Sequence, residues 1–179
     1  AAAALRRIWG LGNATIPNMI HLLESNGIRI FSLTEEARDV DAFCTWHNGK
    51  PFVFLNTLKS AERSRFDAAH ELGHLLLDGR LADGINEEKA CDRFAGAFLA
   101  PRMAVRQMLG QGRHALEWQE LYVLKHEFGL SMSGWLQRAK QCGVISEAAH
   151  LMMFKRFSAK GWRKNEPGDP LPQEHARLF

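Results

Sequence analysis

Two histidines four residues apart, with a glutamate directly after the first, require this chain to build a helix that faces a metal ion. His70, Glu71 and His74 form a His-Glu-x-x-His motif, and residues four apart lie on one face of a helix. Two imidazoles there can bind one ion, while Glu71 reaches a water molecule on that ion. A shuffled chain with the same eight histidines would contain the motif only about 0.03 times. The motif therefore predicts a catalytic zinc site.

The residues around the motif predict the helix that carries it. Phe66, Ala69, Gly73 and Leu77 repeat with the 3, 4, 7 spacing of one buried helical stripe. Both histidines share this stripe, so we expect them to face inward. Ser60 is a suitable N-cap, and Gly79 a suitable C-terminal stop. The alternative, two hydrogen-bonded core histidines without a metal, is the weaker interpretation.

A catalytic zinc ion usually has three protein ligands and one water, so a third ligand is needed. The next predicted helix is capped by Asn86, ends before Pro101 and carries Glu87 and Glu88 in its first turn. Glu88 lies beside the apolar face of that helix, and we select it as the third ligand. Acidic residues in a first turn also favour the helix dipole without binding a metal, and this is our interpretation of Glu87.

Two further residues lie near the predicted ligands. Asp92 follows Glu88 by one helical turn and suits acceptance of the free ring N–H of a metal-bound histidine. Cys91 is close to the same face, but a small buried thiol is the commoner case. We therefore place Asp92 in the site and leave Cys91 out.

Composition limits the class of protein. The 179 residues contain 46% hydrophobic residues, which is enough for a well-packed core in one globular domain. The net charge of +3 is too small to predict nucleic-acid binding, and no apolar run of about 18 residues could span a membrane. Three cysteines without a Cys-x-x-Cys pair favour free thiols and a cytoplasmic protein. The chain starts at four alanines without methionine, so we expect it to be processed from something longer.

The remaining patterns predict an α+β fold, in which a small antiparallel or mixed sheet packs on the motif helix and a mostly helical part follows. Strands are predicted at 28–33, 41–46 and 51–55, the last two joined at an Asn48-Gly49 turn. Helices are predicted at 15–26, 102–109, 115–128, 131–141 and 146–159. We expect a metallopeptidase core at 1–110, a helical subdomain packed on it at 111–165, and a proline-containing tail at 166–179 with little regular structure.

Two patterns in the C-terminal part have competing explanations. A helix, Gly129 and a Ser131-capped helix resemble a helix-turn-helix, but packed helices give the same pattern, and we favour packing. The second is a basic aromatic cluster that could meet phosphates or an acidic peptide, although a solvated face is the simpler interpretation. Its members are Phe154, Lys155, Arg156, Phe157, Lys160, Trp162, Arg163 and Lys164.

The chain resembles the ImmA/IrrE family of metallopeptidases. The resemblance rests on Arg63-Ser64-Arg65-Phe66 before the motif, and on Glu88-Lys89-Ala90-Cys91-Asp92-Arg93-Phe94-Ala95 after it. Further similar segments are Trp9-Gly10-Leu11-Gly12, Ile28-Arg29-Ile30-Phe31, Val40-Asp41-Ala42-Phe43, Phe128-Gly129-Leu130-Ser131 and the stretch from Gly161 to Pro167. Members often have a second Glu just before Ala and then Asn or Asp. Ala90-Cys91-Asp92 departs from that pattern and leaves Glu88 as the favoured ligand.

The resemblance implies a gluzincin-like zinc peptidase with one ion on His70, His74 and Glu88, and with Glu71 as general base. Manganese is a possible substitute for zinc. The implied substrate is a helix-turn-helix repressor in stress or mobile-element regulation, and no membrane or direct nucleic-acid partner is expected. The alternative function is a zinc-stabilised sensor or docking module that binds a transcriptional regulator without cleaving it. The donor that stabilises the oxyanion stays open among Tyr122, His114, His126, His150 and nearby arginines.

Overall fold

The computed structural model describes residues 1–37 and 39–177, so residues 178 and 179 of the predicted tail lie outside the described residues. The fold is α+β, as predicted. The described helices are α1 (Ala2–Ile8), α2 (Met19–Ser25), α3 (Ala61–Leu77), α4 (Glu87–Leu99), α5 (Arg102–Leu109), α6 (Trp118–Phe128), α7 (Met132–Gln141) and α8 (Glu147–Ala159). The strands are β1 (Arg29–Ser32), β2 (Ala42–His47) and β3 (Lys50–Leu55), with a 3-10 turn at Glu35–Ala37.

The three strands form a mixed sheet in the order β1-β3-β2. β1 runs parallel to β3, while β2 and β3 form an antiparallel hairpin. Asn48 and Gly49 connect the hairpin with φ values of 50° and 71°, the positive angles that a two-residue turn of type I′ requires. The predicted hairpin is therefore confirmed, and β2 forms one edge of the described sheet.

The packing of α3 against α4 sets the position of the motif. The Ser60 hydroxyl caps α3 by accepting from the Arg63 amide at 3.4 Å, and the Asn86 side chain caps α4 by accepting from the Lys89 amide at 2.9 Å. A Cβ atom on Gly73 would lie only 3.3 Å from Cα of Cys91, so the two helices approach closely at that point. This contact brings the C-terminal half of α3 beside the first turn of α4.

The C-terminal helices continue the core. Trp135 and Phe128 are almost completely buried and meet edge to face at 5.1 Å between ring centroids. Gly129 adopts the left-handed conformation between α6 and α7, and Ser131 caps α7 by accepting from the Gly134 amide at 3.0 Å. Met132, Trp135, Leu136 and Ala139 of α7 are fully buried, which supports packing as the reason for this turn.

Two predicted helix starts are wrong by several residues. α2 begins at Met19 and not at 15, because the Asn18 side chain accepts from the His21 amide at 2.8 Å and so forms the N-cap. α6 begins at Trp118 and not at 115, because Glu117 and Glu120 form a capping box there. The other predicted helices agree to within a residue, and α5 coincides with its prediction.

The segment after Lys164 crosses the surface of the domain without a helix or strand up to residue 177. The Glu166 carboxylate accepts from the Met132 amide at 2.9 Å, and the Glu174 carboxylate accepts from the Met19 amide at 2.8 Å. Each carboxylate therefore binds the first turn of a helix, where the dipole favours negative charge. None of the helices in the described part of the chain is both long and apolar enough to cross a membrane.

Candidate metal centre and cleft

His70 and His74 lie one turn apart on α3, with their Nε2 atoms 3.0 Å from each other. Their side chains are 15% and 21% exposed. The fully buried residues of this helix are Ala68, Ala69 and Leu72. The histidines therefore line the border of the core and face a cleft, which differs from the inward position expected from periodicity alone.

The Glu88 carboxylate lies across the gap between α3 and α4. Its Oε2 atom is 3.2 Å from Nε2 of His70, and its Oε1 atom is 3.2 Å from Nε2 of His74. Glu88 is well exposed, so nothing in the packing forces it into this position. The structure thus brings together the three residues that the sequence selected as ligands.

The other ring nitrogen of each histidine has its own carboxylate. Nδ1 of His70 lies 2.9 Å from Asp92, and Nδ1 of His74 lies 2.9 Å from Glu87. An ionised carboxylate can only accept hydrogen bonds, so we assign the ring hydrogen of each histidine to Nδ1. The contact of Glu87 with His74 was not predicted, because the helix dipole already explains an acidic residue in a first turn. The sequence feature that could have indicated this contact is that Glu87 directly precedes Glu88.

This hydrogen bonding leaves three acceptors pointing at one another. With hydrogen on Nδ1, both Nε2 atoms present lone pairs, and the Glu88 oxygens add negative charge. Tetrahedral zinc with bonds of about 2.0–2.1 Å places its ligand atoms about 3.3 Å apart, close to the 3.0 and 3.2 Å found here. The donor set therefore fits a divalent metal ion.

Glu71 is the most buried charged residue of the site, with 7% of its surface exposed. It lines the same cleft as the two histidines. Cys44 of β2 contacts it, and burial together with a hydrogen bond to the Glu71 carboxylate raises the pKa of the Cys44 thiol. The thiol is therefore protonated at neutral pH and can donate to Glu71, which orients this carboxylate from the strand side.

Cys91 lies behind the site on α4 and is fully buried. Its thiol forms a second compact group with His74 and Glu87. Burial raises the pKa of Cys91 to about 12, with nearby carboxylates, first among them Glu87, acting in the same direction. The thiol is thus neutral at physiological pH and packs against Gly73.

The site opens into a cleft of about 2060 Å³. One wall is β2, from Ala42 to Trp46, and the cleft continues past α4 towards α7, Phe154 and residues 162–166. The oxyanion donors considered from the sequence, Tyr122, His114, His126 and His150, are not among its lining residues. The arginines that line it are Arg63, Arg93, Arg138 and Arg163.

Comparison with known proteins identifies the family of this chain. Residues 23–140 match the M78 peptidase family, described as an IrrE N-terminal-like domain. The chain belongs to this family. The match includes α3, α4 and the whole sheet, so the candidate metal site lies inside the matched residues.

Other comparisons are more distant. A Mycobacterium tuberculosis transcriptional regulator has a similar structure, with a TM-score of 0.52 and 17% sequence identity. The similarity covers 78% of this chain and 44% of that regulator, so the chain spans less than half of the regulator's length. At this identity the likeness concerns the fold alone. A search of functionally curated proteins finds no significant match.

Proposed function

We propose that this M78 family member is a zinc-dependent endopeptidase in which His70, His74 and Glu88 bind the metal and Glu71 is the general base. The observation that carries the proposal is the convergence of two Nε2 lone pairs and one carboxylate, with each Nδ1 already bonded elsewhere. A site of three protein ligands keeps a position for water, which a structural zinc site would close with a fourth side chain.

The residues divide the chemistry between them. A zinc ion bound there would polarise the scissile carbonyl and lower the pKa of a bound water to about 7. Glu71 accepts the proton of that water and returns it to the leaving amine. Asp92 and Glu87 hold the two imidazoles in one tautomer and orientation, which keeps both Nε2 atoms available as ligands.

The edge strand supports a peptide as the substrate. β2 pairs with β3 on one side only within the described sheet, and its residues form a wall of the cleft. An extended peptide can add to such an edge through main-chain hydrogen bonds. A substrate bound along β2 would lie in the cleft that His70 and Glu71 also line.

The proposed substrate class is a helix-turn-helix transcriptional repressor. The resemblance to ImmA/IrrE proteins supports it, since members commonly cleave or regulate such repressors. The similar fold of a protein named as a transcriptional regulator is compatible with this role. The second candidate, a docking module that binds a regulator without cutting it, needs the same cleft but no general base.

One experiment separates the two functions. The chain is loaded with zinc, or with manganese in a parallel sample, and incubated with the repressor encoded beside it, and any fragments are sequenced. We expect specific fragments from the wild type, and none from Glu71→Gln although this variant binds metal at the same stoichiometry. Glu147→Gln, a change at an 85% exposed position outside the cleft, is the matched control and should cleave normally. An intact repressor that binds equally to wild type and Glu71→Gln would support docking and overturn the peptidase proposal.

A further inference from the structure

The basic aromatic cluster of the C-terminal part divides into two surfaces in the structure. Lys155 and Arg156 are exposed on α8 and do not line the cleft. Arg163 and Lys164 are also exposed, but they line the cleft that contains His70. The positive charges of one sequence cluster are thus separated between an outer helix face and the candidate active-site cleft.

The loop that carries Arg163 and Lys164 is held on its N-terminal side by aromatic packing. Trp162 meets Trp118 edge to face at 5.3 Å between ring centroids and Phe157 at 5.7 Å. Phe157 is fully buried, so this contact joins the loop to the hydrophobic core. The residue directly before the two cations therefore has a fixed position.

The C-terminal side of the loop is held by charge. The Glu166 carboxylate accepts from Nζ of Lys125 at 3.0 Å and from the amide of Ser133 at 3.0 Å. Nζ of Lys125 also lies 3.1 Å from Glu62 on α3. A loop fixed on both sides presents its charges with less entropy to lose on binding than a free segment.

The two cations are available for a ligand. Arg163 lies over the Phe154 ring at 5.7 Å from its centroid, which holds the guanidinium without neutralising it. In the described part of the chain neither Arg163 nor Lys164 forms an ion pair. Asp169 is an exposed carboxylate on the same cleft, but within the described residues it forms no ion pair with either cation.

The cleft extends along α4 beyond the metal ligands. Its floor includes Glu88, Asp92 and Gly96 on successive turns of α4. The eight helical steps from Glu88 to Gly96 extend for about 12 Å, the length of about three or four residues of an extended peptide. Glu87, Glu88 and Asp92 lie on the first two turns of α4, while Arg163 and Lys164, together with Glu166 and Asp169, line the part of the cleft built by the C-terminal elements.

We propose that Arg163 and Lys164 bind an acidic side chain of the peptide that occupies the cleft, at a distance from the metal-binding histidines. The inference rests on the proposed peptidase function and names a substrate preference for it: a segment with Asp or Glu several residues from the scissile bond. Electrostatic complementarity of this kind contributes specificity and association rate more than bulk affinity.

The test uses the full chain with Glu71→Gln and bound zinc, so that binding is measured without turnover. The probes are fluorescein-labelled peptides of Ala, Leu and Ser in which a Glu-Glu pair is moved along the sequence, each with a Gln-Gln counterpart. Fluorescence anisotropy at low salt should give a lower Kd, by about fivefold, for the best Glu-Glu peptide than for its counterpart. This advantage should shrink as the Debye length falls from about 8 Å at 0.15 M salt to about 3 Å at 1 M.

Charge variants locate the effect. Arg163→Gln with Lys164→Gln should abolish the preference, while Lys155→Gln with Arg156→Gln removes the same net charge from the outer face and should keep it. Arg163→Glu with Lys164→Glu should instead prefer a Lys-Lys peptide, and circular dichroism verifies the fold of each variant. The inference would be overturned if both Gln double variants lost the Glu preference equally. It would also be overturned if the Glu preference survived in the Arg163→Gln, Lys164→Gln variant. Tighter binding of a labelled DNA oligonucleotide than of any Glu peptide, lost in the cleft pair, would also overturn it.

These outcomes are independent of the peptidase test. A Glu preference on the inactive protein together with an intact repressor in the wild-type digest would remove the peptidase function and keep the acidic-ligand site. Specific fragments without any Glu preference would keep the peptidase function and remove the acidic-ligand site.

Discussion

The carboxylate of Glu87 lies 2.9 Å from Nδ1 of His74. This hydrogen bond orients the His74 ring, as the bond to Asp92 orients the His70 ring. Removal of such a partner typically lowers metal affinity about 10- to 100-fold. We therefore expect Glu87→Ala to weaken zinc binding within this range, with a milder loss in Glu87→Gln, whose amide oxygen still accepts a hydrogen bond. Competition with a chromophoric chelator measures the affinity. Glu147→Gln should bind zinc as the wild type does, and an unchanged Kd in Glu87→Ala would show that His74 is oriented by other contacts.

Metal removal should lower thermal stability. An ion present at 100 times its Kd stabilises the folded state by about 2.7 kcal/mol. For a chain of this size, each kcal/mol of stability usually shifts the Tm by about 2–4 °C. We expect a chelator to lower the Tm by about 5–10 °C in a calorimetric scan. Glu88→Ala should have a low Tm already and respond little to chelator. A wild-type Tm that does not change with chelator or added zinc would contradict a site that binds in the folded state.

Much of the geometry of this candidate site was predictable because its parts are close in sequence. His70, His74 and Glu88 lie within two neighbouring helices, and the caps at Ser60 and Asn86 mark where those helices begin. Choosing Glu88 over Glu87 required only the periodicity of one helix. Glu87 also reaches the site because α3 approaches α4 closely at Gly73. The pattern of a single helix cannot predict this approach.

Other features depend on contacts between distant residues and were not predictable from local patterns. α1 lacks an apolar stripe, and its buried Arg6 instead donates to the carbonyl oxygens of Gly12, Ala14 and Phe98. β1 pairs in parallel with β3, which requires a crossover connection between them. Strand propensity does not specify which strands become neighbours. Composition predicted a tail with little regular structure, but Glu174 anchors it to residues more than 100 positions away.

Lys125 should make stability sensitive to alkaline pH. Burial alone would lower the pKa of this lysine, but Glu166 and Glu62 outweigh burial and raise it above the ordinary value. A raised pKa means that the stabilisation is complete below the unfolded-state pKa and disappears as pH rises through the folded-state pKa. Relative to Lys125→Met, the wild type should be more stable by about 3 kcal/mol at pH 7.

That advantage should stay constant to about pH 9 and decrease above the ordinary lysine pKa of about 10.4. Urea unfolding at several pH values measures the difference. Lys155→Met, at an exposed position of α8, serves as the control and should show no such dependence. An advantage over Lys125→Met that persists unchanged at the highest pH would mean that packing, and not charge, makes Lys125 stabilising.

The Arg65 and Glu174 side chains join the motif helix to the tail across 109 residues of sequence. Both side chains are nearly buried, and Arg65 also donates to the carbonyl oxygens of Gly129, Ile16 and Phe128. Glu174→Ala leaves a buried guanidinium with neutral partners only and exposes the amides of Met19 and Ile20. Loss of one partner of a buried pair typically costs about 3–5 kcal/mol, and the remaining carbonyl contacts place the expected loss in unfolding free energy near the lower value.

Urea denaturation of Glu174→Ala and of the neighbouring exposed variant His175→Ala provides the comparison. We expect His175→Ala to unfold at the wild-type urea concentration and Glu174→Ala at a clearly lower one. Arg65 lies near the start of α3, the helix that also carries His70. The loss of the Glu174 contact should loosen this end of the helix, so we also expect Glu174→Ala to bind zinc less tightly. Equal midpoints for the two variants would show that the tail rests on the domain without stabilising it.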